Sequence, residues 1–182
     1  GDEVTAVDLS AERLQKLADN LDRLKLEAVL VADDVASYVP QTLFDGVLLD
    51  PPCSATGTAR KHPDVLWLKS PDLVTRMVGV QQKLLKDAVR ILKPDGILIY
   101  CTCSLQPAEG EAILSFIEKE GLPLQIEPVN LDEVNAFADI VRPDGTIRTR
   151  PDHRPLGTGK NGDDPVLGGL DGFFIARFKK RI

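Results

Sequence analysis

The sequence lacks long apolar runs and has little cysteine, and each shortage excludes a class of protein. No apolar stretch approaches the roughly 18 residues that a membrane-spanning helix needs, and no basic segment precedes an apolar one at the start. The three cysteines are an odd number, which argues against a disulfide framework and favours a reducing compartment. We therefore expect a cytoplasmic protein that does not act at a membrane.

Two cofactor motifs and an excess of positive charge are also missing. No Gly-x-Gly-x-x-Gly follows a predicted strand, which argues against a hydride-transfer enzyme. No Cys-x-x-Cys pair is present, so a metal site formed by Cys53, Cys103 and His62 is disfavoured and no metal is expected. The net charge of −6 argues weakly against nucleic-acid binding. Net charge is a poor guide for part of a larger protein. We expect this chain to be such a part, because it starts at Gly1 and enters a strand almost at once.

The rest of the composition is that of an ordinary globular domain. The chain has 182 residues, of which 43% are hydrophobic and 27% are charged. That length suffices for one domain with a sizeable core and is too short for two. We therefore predict a single domain over residues 1–182.

Apolar runs of strand length alternate with patterns of helical period along most of the chain. They predict strands at residues 4–7, 28–32, 45–49, 97–101, 124–129 and 172–179, and helices at residues 11–26, 71–92 and 107–120. Ser10 and Ser70 stand where helix N-caps belong, and Pro71 suits a first helical turn. Residues 93–96 are predicted to form a turn, and residues 130–170 an irregular loop. Continuous apolar strands separated by helices imply an α/β fold with a parallel sheet buried on both faces.

Acidic residues follow the first two predicted strands. In open α/β sheets, ligands bind beyond the carboxyl ends of the strands, where Asp8 and Asp33 stand. One carboxylate there can accept both hydroxyls of a ribose, and a second can reach an adenine edge, so the pair suits a nucleoside. The alternative is that Asp8 helps to cap the following helix and that Asp33 starts a turn.

Two cysteine loops follow the next two strands. Asp50-Pro51-Pro52-Cys53 ends one strand, and Cys101-Thr102-Cys103-Ser104 ends the other. Cys103 is nearer the strand end than Cys101 and precedes a predicted helix N-terminus, which helps to lower a thiol pKa. We expect Cys101 to be packed and Cys103 to be more exposed. The alternative for the first loop is a strand-ending turn with a buried thiol.

Two thiols and one carboxylate suit the methylation of carbon 5 of cytosine. That carbon is a poor nucleophile, so a thiolate must first add to carbon 6, while an acid such as Asp50 acts at ring N3. After methyl transfer the proton on carbon 5 must leave, and a second cysteine can assist release. An amino-group methyltransferase would instead carry an aromatic residue at position 53 to stack the base.

Three motifs together resemble the RNA (cytosine-5) methyltransferase family. They are Asp50-Pro51-Pro52-Cys53-Ser54-Ala55-Thr56-Gly57, then Arg60-Lys61-His62-Pro63-Asp64, and then Thr102-Cys103-Ser104. Asp171-Gly172-Phe173-Phe174 with Ala176 is similar to the closing strand of that family. The resemblance is strongest to bacterial members that methylate a cytosine of small-subunit (16S) ribosomal RNA. It covers nearly the whole chain.

The resemblance implies a fold, a cofactor and a division of roles. The fold would be a Rossmann-like class I methyltransferase sheet, mostly parallel with an antiparallel last strand. The cofactor would be S-adenosyl-L-methionine, with Asp8 at the ribose, Asp33 at the adenine and Asp50 between the methionine moiety and the base. Cys103 would be the nucleophile and Cys53 the thiol that assists release. DNA cytosine-5 methyltransferases use the cysteine of the Pro-Cys motif as nucleophile instead.

The chain departs from the family at its start. The first strand, the glycine-rich loop after it and the upstream RNA-binding domain are absent. We therefore expect an unfilled place or an unusual closure between the strands that end at Asp8 and Asp50, and weak cofactor binding by the isolated chain. A catalytically silent fragment or RNA-binding module is the alternative that this departure leaves open.

Basic residues near the cysteine loops are consistent with an RNA-binding face. Arg60, Lys61 and His62, which belong to the second motif, are expected to contact substrate RNA. The same face would include Lys69, Arg142, Arg148, Arg150, Arg154 and Lys160. The alternative is that these are solvated loop charges. Trp67, with Leu66 and Leu68, is expected to lie in the core rather than to stack on a base.

Overall fold

The structure is a computed structural model that describes residues 3–134, 139–153, 157–158, 165–166 and 169–182. Its helices are α1 (Ala11–Leu24), α2 (Val65–Leu68), α3 (Pro71–Ile91), α4 (Ala112–Lys119) and α5 (Leu131–Val134). Its strands are β1 (Thr5–Asp8), β2 (Val29–Ala32), β3 (Phe44–Leu49), β4 (Leu92–Thr102), β5 (Leu124–Ile126), β6 (Ile147–Thr149), β7 (Gly157–Thr158), β8 (Pro165–Val166) and β9 (Phe173–Lys180). Two 3-10 turns, Thr56–Thr58 and Pro107–Glu109, lie in the loops after β3 and β4. Across the described ranges, every helix is too short or too polar to cross a bilayer.

The chain divides into two compact units, Gly1–Thr42 and Leu43–Ile182. In the first unit β1 and β2 pair in parallel, and α1 packs against both. In the second unit the strand order is β3-β4-β9-β5, and β6 also pairs with β9. β3 and β4 are parallel, whereas β9 runs antiparallel to β4, β5 and β6. The predicted α/β fold with an antiparallel last strand is therefore confirmed, and the single domain stays a prediction.

The strands that end at Asp8 and Asp50 belong to separate hydrogen-bonded sheets. Among the described strands, β1 pairs with β2 alone and β3 pairs with β4 alone. Each therefore keeps one edge to which no described strand is hydrogen-bonded. The unfilled place expected between them stays a prediction.

Local capping signals place the helix starts where the sequence predicts them. The Ser10 hydroxyl accepts a hydrogen bond from the Arg13 N–H and the Ser70 hydroxyl one from the Leu73 N–H, both at 3.3 Å. α1 ends two residues before the predicted boundary because Lys25 adopts a left-handed conformation, with φ of 55°.

Three segments differ from the prediction. The turn at residues 93–96 lies inside β4 as a register shift, because Phe44 pairs with Leu92 and Gly46 with Ile97. The helix predicted over residues 107–120 is interrupted at Gly110, where a Cβ would lie 2.3 Å from the Arg148 guanidinium and 3.0 Å from the Phe174 ring. Residues 130–170, predicted to be irregular, contain α5 and β6 as well as the backbone of β7 and β8.

The core of the second unit lies between its sheet and the helices α3 and α4. Its buried side chains are Leu85, Ala88, Val89, Leu92, Leu98, Tyr100, Ile113, Ile117, Leu124, Phe174, Ala176 and Phe178. Alternate residues of β9 are buried, as the sequence pattern predicts.

The expectation that every strand is buried on both faces is wrong for β2 and β3. Val29 is 61% exposed and Leu48 is 70% exposed. Both lie on strands at the edge of their sheets, where α1 packs on β2 and α3 packs on β3.

Candidate active site

The first cysteine loop leaves β3 at Asp50 and turns through two prolines. Asp50 is exposed, Pro51 is buried and Cys53 is half-buried. The Pro52 carbonyl accepts a hydrogen bond of 3.0 Å from the Gln81 side chain on α3. Because proline fixes φ and this carbonyl is anchored, the path of the loop into Cys53 is restricted.

The second cysteine loop leaves β4 and lies directly against the first. Its Cys103 carbonyl accepts the Gly57 N–H at 3.0 Å, and the Gly57 carbonyl accepts the Gly172 N–H at 2.8 Å. A Cβ at Gly57 would lie 1.8 Å from the Gly172 carbonyl oxygen and 2.9 Å from that of Cys103. Glycine at position 57 is therefore required for the backbones to approach this closely.

The two loops bring the sulfur atoms of Cys53 and Cys103 together at 3.4 Å. The hydrogen bond from the Cys53 thiol lowers the pKa of Cys103 to about 7, against the opposing effects of burial and of the Asp50 charge. The same contact and burial raise the pKa of Cys53. Cys103 is thus the thiol that ionises first, with Cys53 as its hydrogen-bond donor, and a thiolate is the nucleophilic form of cysteine.

The third cysteine differs from the other two. Cys101 and Cys103 are both half-buried, so the structure does not show the expected contrast in their exposure. Burial, together with the charge of Asp50 and a hydrogen bond to it, raises the pKa of Cys101 to about 12. Cys101 therefore stays protonated beside the Asp50 carboxylate.

Sequence reasoning missed the buried residue that joins the two loops. Glu109 follows β4 in the Pro107–Glu109 turn and is 1% exposed. Its carboxylate accepts hydrogen bonds from both Ser54 and Ser104, each of which directly follows a site cysteine. In the sequence, Glu109 and Glu111 lie in a predicted helix and look like ordinary surface residues. Only the three-dimensional proximity of Glu109 to Ser54 and Ser104 reveals its role.

The basic residues predicted to contact RNA have exposed side chains, but two of them are paired. Arg60 and Lys61 both contact the Asp171 carboxylate, at 3.3 Å and 2.6 Å. His62 is exposed. Arg60, Lys61 and Asp171 line one side of an open cavity of about 440 Å³ that Thr149 and Phe173 help to form.

The prediction that Arg148 belongs to an RNA face is wrong. Arg148 is only 7% exposed. Its guanidinium donates hydrogen bonds to both carboxylate oxygens of Glu111 and lies 5.1 Å from the centre of the Phe174 ring. The cause is the pairing of Arg148 with Phe174 between β6 and β9, which directs the side chain inward. Arg142 also contacts Glu111, and Arg150 pairs with Asp152.

The remaining predictions for this surface have mixed outcomes. Lys69 is half-buried. Arg154 and Lys160 lie outside the described residues. The core placement of Trp67 is wrong: its side chain is 88% exposed and Leu66 and Leu68 are 57% and 71% exposed, because α2 is a single turn that buries only Val65.

The acidic residues predicted to hold a nucleoside lie at one end of the small parallel sheet in the first unit. Asp8 pairs with Ala32, the residue before Asp33. Asp8 Oδ1 accepts the Ser10 N–H at 2.7 Å and the Arg13 guanidinium, while Asp33 Oδ1 accepts the Asp34 N–H and the Ser37 hydroxyl. Asp8 accepts the N–H of Ser10, the N-cap of α1, which agrees with the alternative that Asp8 helps to cap that helix. The nucleoside role of Asp8 and Asp33 stays a prediction.

The described residues contain no group of three or more His, Cys, Asp or Glu side chains suited to a metal ion. The three cysteines, all of which are described, are free thiols.

A family model described as 16S rRNA methyltransferase RsmB/F matches residues 1–179. This chain belongs to the RsmB/F family. The resemblance inferred from the motifs is thereby confirmed, and so is the predicted cofactor, S-adenosylmethionine.

Relatives within the family include proteins named ribosomal RNA small subunit methyltransferase B. The one from Xylella fastidiosa is 35% identical over 182 residues, which is 98% of this chain and 38% of the relative. The one from Shewanella oneidensis is 42% identical over 113 residues, 60% of this chain and 26% of the relative. The RsmB/F chain thus spans well under half the length of these curated relatives.

Solved structures show the same fold over the whole chain. PH0851 superposes with a TM-score of 0.81 at 27% identity, covering 98% of this chain and 37% of that one. NSun6 from Pyrococcus horikoshii, solved with SFG, superposes with a TM-score of 0.75 at 26% identity and covers 98% and 41%. The methyltransferase fold expected for the RsmB/F chain is therefore confirmed.

Proposed function

We propose that the chain is the part of an enzyme that transfers a methyl group from S-adenosylmethionine to carbon 5 of a cytosine in RNA, specifically small-subunit ribosomal RNA. The observation that carries this proposal is the pair of sulfur atoms 3.4 Å apart in loops that follow two neighbouring parallel strands. The names of the RsmB/F family and of its relatives support a ribosomal RNA substrate.

Cys103 is the nucleophile in this proposal. Its thiolate adds to carbon 6 of the cytosine, forming a carbon–sulfur bond while the ring electrons move toward carbon 5 and N3. Asp50, exposed at the end of β3, acts in its protonated form, in which its carboxyl group donates a hydrogen bond to N3 and favours the addition. The pKa of about 7 for Cys103 places a large share of this thiol in the reactive form at neutral pH.

Cys53 assists the release step. Once carbon 5 carries the methyl group, its proton passes to solvent water, the ring double bond re-forms and the bond between carbon 6 and the Cys103 sulfur breaks. The departing sulfur becomes a thiolate, and the Cys53 thiol, whose pKa is raised, donates a hydrogen bond to it. The chemistry therefore uses the two thiols for different steps.

S-adenosylmethionine, when bound, supplies an electrophilic methyl group. The donor set of the chain fits its nucleoside part, because Asp8 and Asp33 offer carboxylate oxygens from neighbouring parallel strands at one end of their sheet. We assign Asp8 to the ribose hydroxyls, Asp33 to the adenine edge and Asp50 to the region between the methionine part and the target base.

Arg60, Lys61 and His62 are proposed to contact the RNA backbone. Arg60 and Lys61 are exposed and share Asp171 as a partner. The cationic ends of Arg60 and Lys61 remain open to solvent, so phosphate oxygens can compete with Asp171 for them.

The test is to locate the methyl group on the RNA. In a strain without the gene, small-subunit rRNA should lose one 5-methylcytidine by bisulfite mapping and by mass spectrometry of nucleosides. The wild-type gene should restore it, and a gene encoding Cys103→Ser should not. Loss of N4-methylcytidine instead would support an amino-group methyltransferase, and unchanged rRNA would contradict the proposal.

A further inference from the structure

Glu109 is a buried carboxylate that the proposed chemistry does not use. Its Oε1 accepts the Ser54 N–H at 2.8 Å and the Gln81 side chain at 3.1 Å. Its Oε2 accepts the hydroxyls of Ser54 at 2.5 Å and Ser104 at 2.6 Å. All four groups donate to it, so both carboxylate oxygens act as acceptors.

Two partners of Glu109 are the residues that directly follow the two site cysteines. Ser54 follows Cys53 in the loop after β3, and Ser104 follows Cys103 in the loop after β4. The two hydroxyls also lie 3.1 Å from each other. One side chain therefore fixes the backbone next to both sulfur atoms.

We propose that Glu109 is a positioning residue that holds Cys53 and Cys103 at hydrogen-bonding distance by joining Ser54 to Ser104. The inference rests on the proposed function, since it assigns the support of the same thiol pair. In this proposal Glu109 acts on the sulfur atoms only through the two serines.

The backbone of Glu109 is held as firmly as its side chain. The Glu109 carbonyl accepts the hydroxyls of Tyr100 at 3.0 Å and Thr102 at 3.1 Å, both from β4. Tyr100 and Thr102 are themselves fully buried. Glu109 is thus fixed to the sheet and the two loops are fixed to Glu109.

Charge and position act on Cys103 in opposite directions. The negative charge of Glu109 disfavours a nearby thiolate and contributes to a higher pKa of Cys103. The hydrogen bond from Cys53, which the positioning role maintains, lowers the pKa of Cys103 and is the larger effect. Removing the charge of Glu109 should therefore lower the Cys103 pKa if charge is all that matters, and raise it if position matters.

The test measures the pH dependence of Cys103 alkylation by iodoacetamide in the full-length protein, resolved by peptide mass spectrometry. Wild-type protein should show a midpoint of about 7. Glu109→Gln and the shorter Glu109→Asp should both move the midpoint toward about 8.5, the value of a free cysteine. In methylation assays kcat should fall while KM for RNA stays the same. Glu120→Gln, on an exposed carboxylate paired with Lys86, is the matched control and should leave the midpoint unchanged.

An unchanged or lowered midpoint in a folded Glu109→Gln protein would overturn the inference. If that variant does not fold, Ser54→Ala and Ser104→Ala each remove one link while Glu109 keeps its remaining partners, and both should raise the midpoint. Unchanged midpoints in both serine variants would also overturn it. Alkylation needs neither RNA nor cofactor, so a raised midpoint in an enzyme that methylates no cytosine would refute the proposed function and leave the role of Glu109 standing.

Discussion

The two cysteine loops and the basic segment at residues 60–69 are held in different ways. In the loops, Ser54, Ser104 and Glu109 are buried and joined by short hydrogen bonds. In the basic segment, Lys61 is exposed and Trp67 is 88% exposed. The loops have defined atomic positions, whereas the segment offers charges and an aromatic ring to solvent.

In the proposed function, the firmly held loops carry out the chemistry and the exposed basic segment recognises the RNA. Leaving a buried polar group without its partner costs ~1–3 kcal/mol, so the loops resist rearrangement and can hold two sulfur atoms in one geometry. In the proposed function, the exposed cations of Arg60 and Lys61 can exchange Asp171 for phosphate oxygens of the RNA. Substitutions in the two regions should therefore differ in both the size and the kind of their effects.

The largest expected effect is on turnover. Cys103→Ser should lower kcat by at least ~10³-fold, because the alcohol ionises far above neutral pH and adds poorly to the ring. Cys101→Ala removes a thiol that the proposed chemistry does not use and should keep most of the activity in the same assay. An active Cys103→Ser enzyme would show that this sulfur is not the nucleophile.

Next in size is an effect on stability. Gly57→Ala should cost ~3 kcal/mol or more in the free energy of unfolding, because its Cβ would lie 1.8 Å from the Gly172 carbonyl oxygen. Gly79→Ala, in the middle of α3 with open space around it, should instead stabilise by ~0.5–1 kcal/mol. Urea unfolding of both variants measures the contrast. Equal stabilities would mean that the loops are not packed as described.

A smaller effect concerns the pH dependence of Cys103. The hydrogen bond from Cys53 depresses the pKa of Cys103 to about 7, so Cys53→Ala should return that pKa toward about 8.5. Alkylation of Cys103 rises with pH as the thiolate forms, and the variant should follow the same curve displaced to higher pH. A curve displaced to lower pH would mean that the two thiols have the opposite roles.

The smallest effects should arise in the basic segment. Lys61→Ala should weaken RNA binding by ~1 kcal/mol and reduce the salt slope of the affinity by ~1. Asp171→Asn should free Arg60 and Lys61 and steepen the salt dependence. Lys83→Ala, an exposed lysine on α3, is the control. Equal salt slopes for all four proteins would exclude the segment from the RNA interface.

Features that depend on neighbouring residues could be predicted from the sequence. The N-caps at Ser10 and Ser70 and the alternation of β9 are set by hydrogen bonds and side-chain directions within a few residues. The motifs around Cys53 and Cys103 identified the family, because their joint occurrence does not depend on the fold being known.

Features that depend on distant contacts could not be predicted from the sequence. Glu109 and Ser54 are 55 residues apart, and the burial of Arg148 follows from the pairing of β6 with β9. Trp67 has the hydrophobic pattern of a core residue, but the single turn of α2 directs it outward. The environments of Glu109 and Arg148 are supplied by other segments of the chain, whereas the exposure of Trp67 follows from the shortness of its own helix.

The most direct test of the account is to identify the sulfur atom that bonds to the RNA. Full-length Cys53→Ala protein, incubated with small-subunit rRNA and S-adenosylmethionine, should accumulate a complex that survives denaturing electrophoresis. Digestion and mass spectrometry should then find the cytidine attached to the peptide that contains Cys103, and Cys103→Ser should form no such complex. A complex that persists in Cys103→Ser and disappears in Cys53→Ala would contradict the assignment of the two thiols.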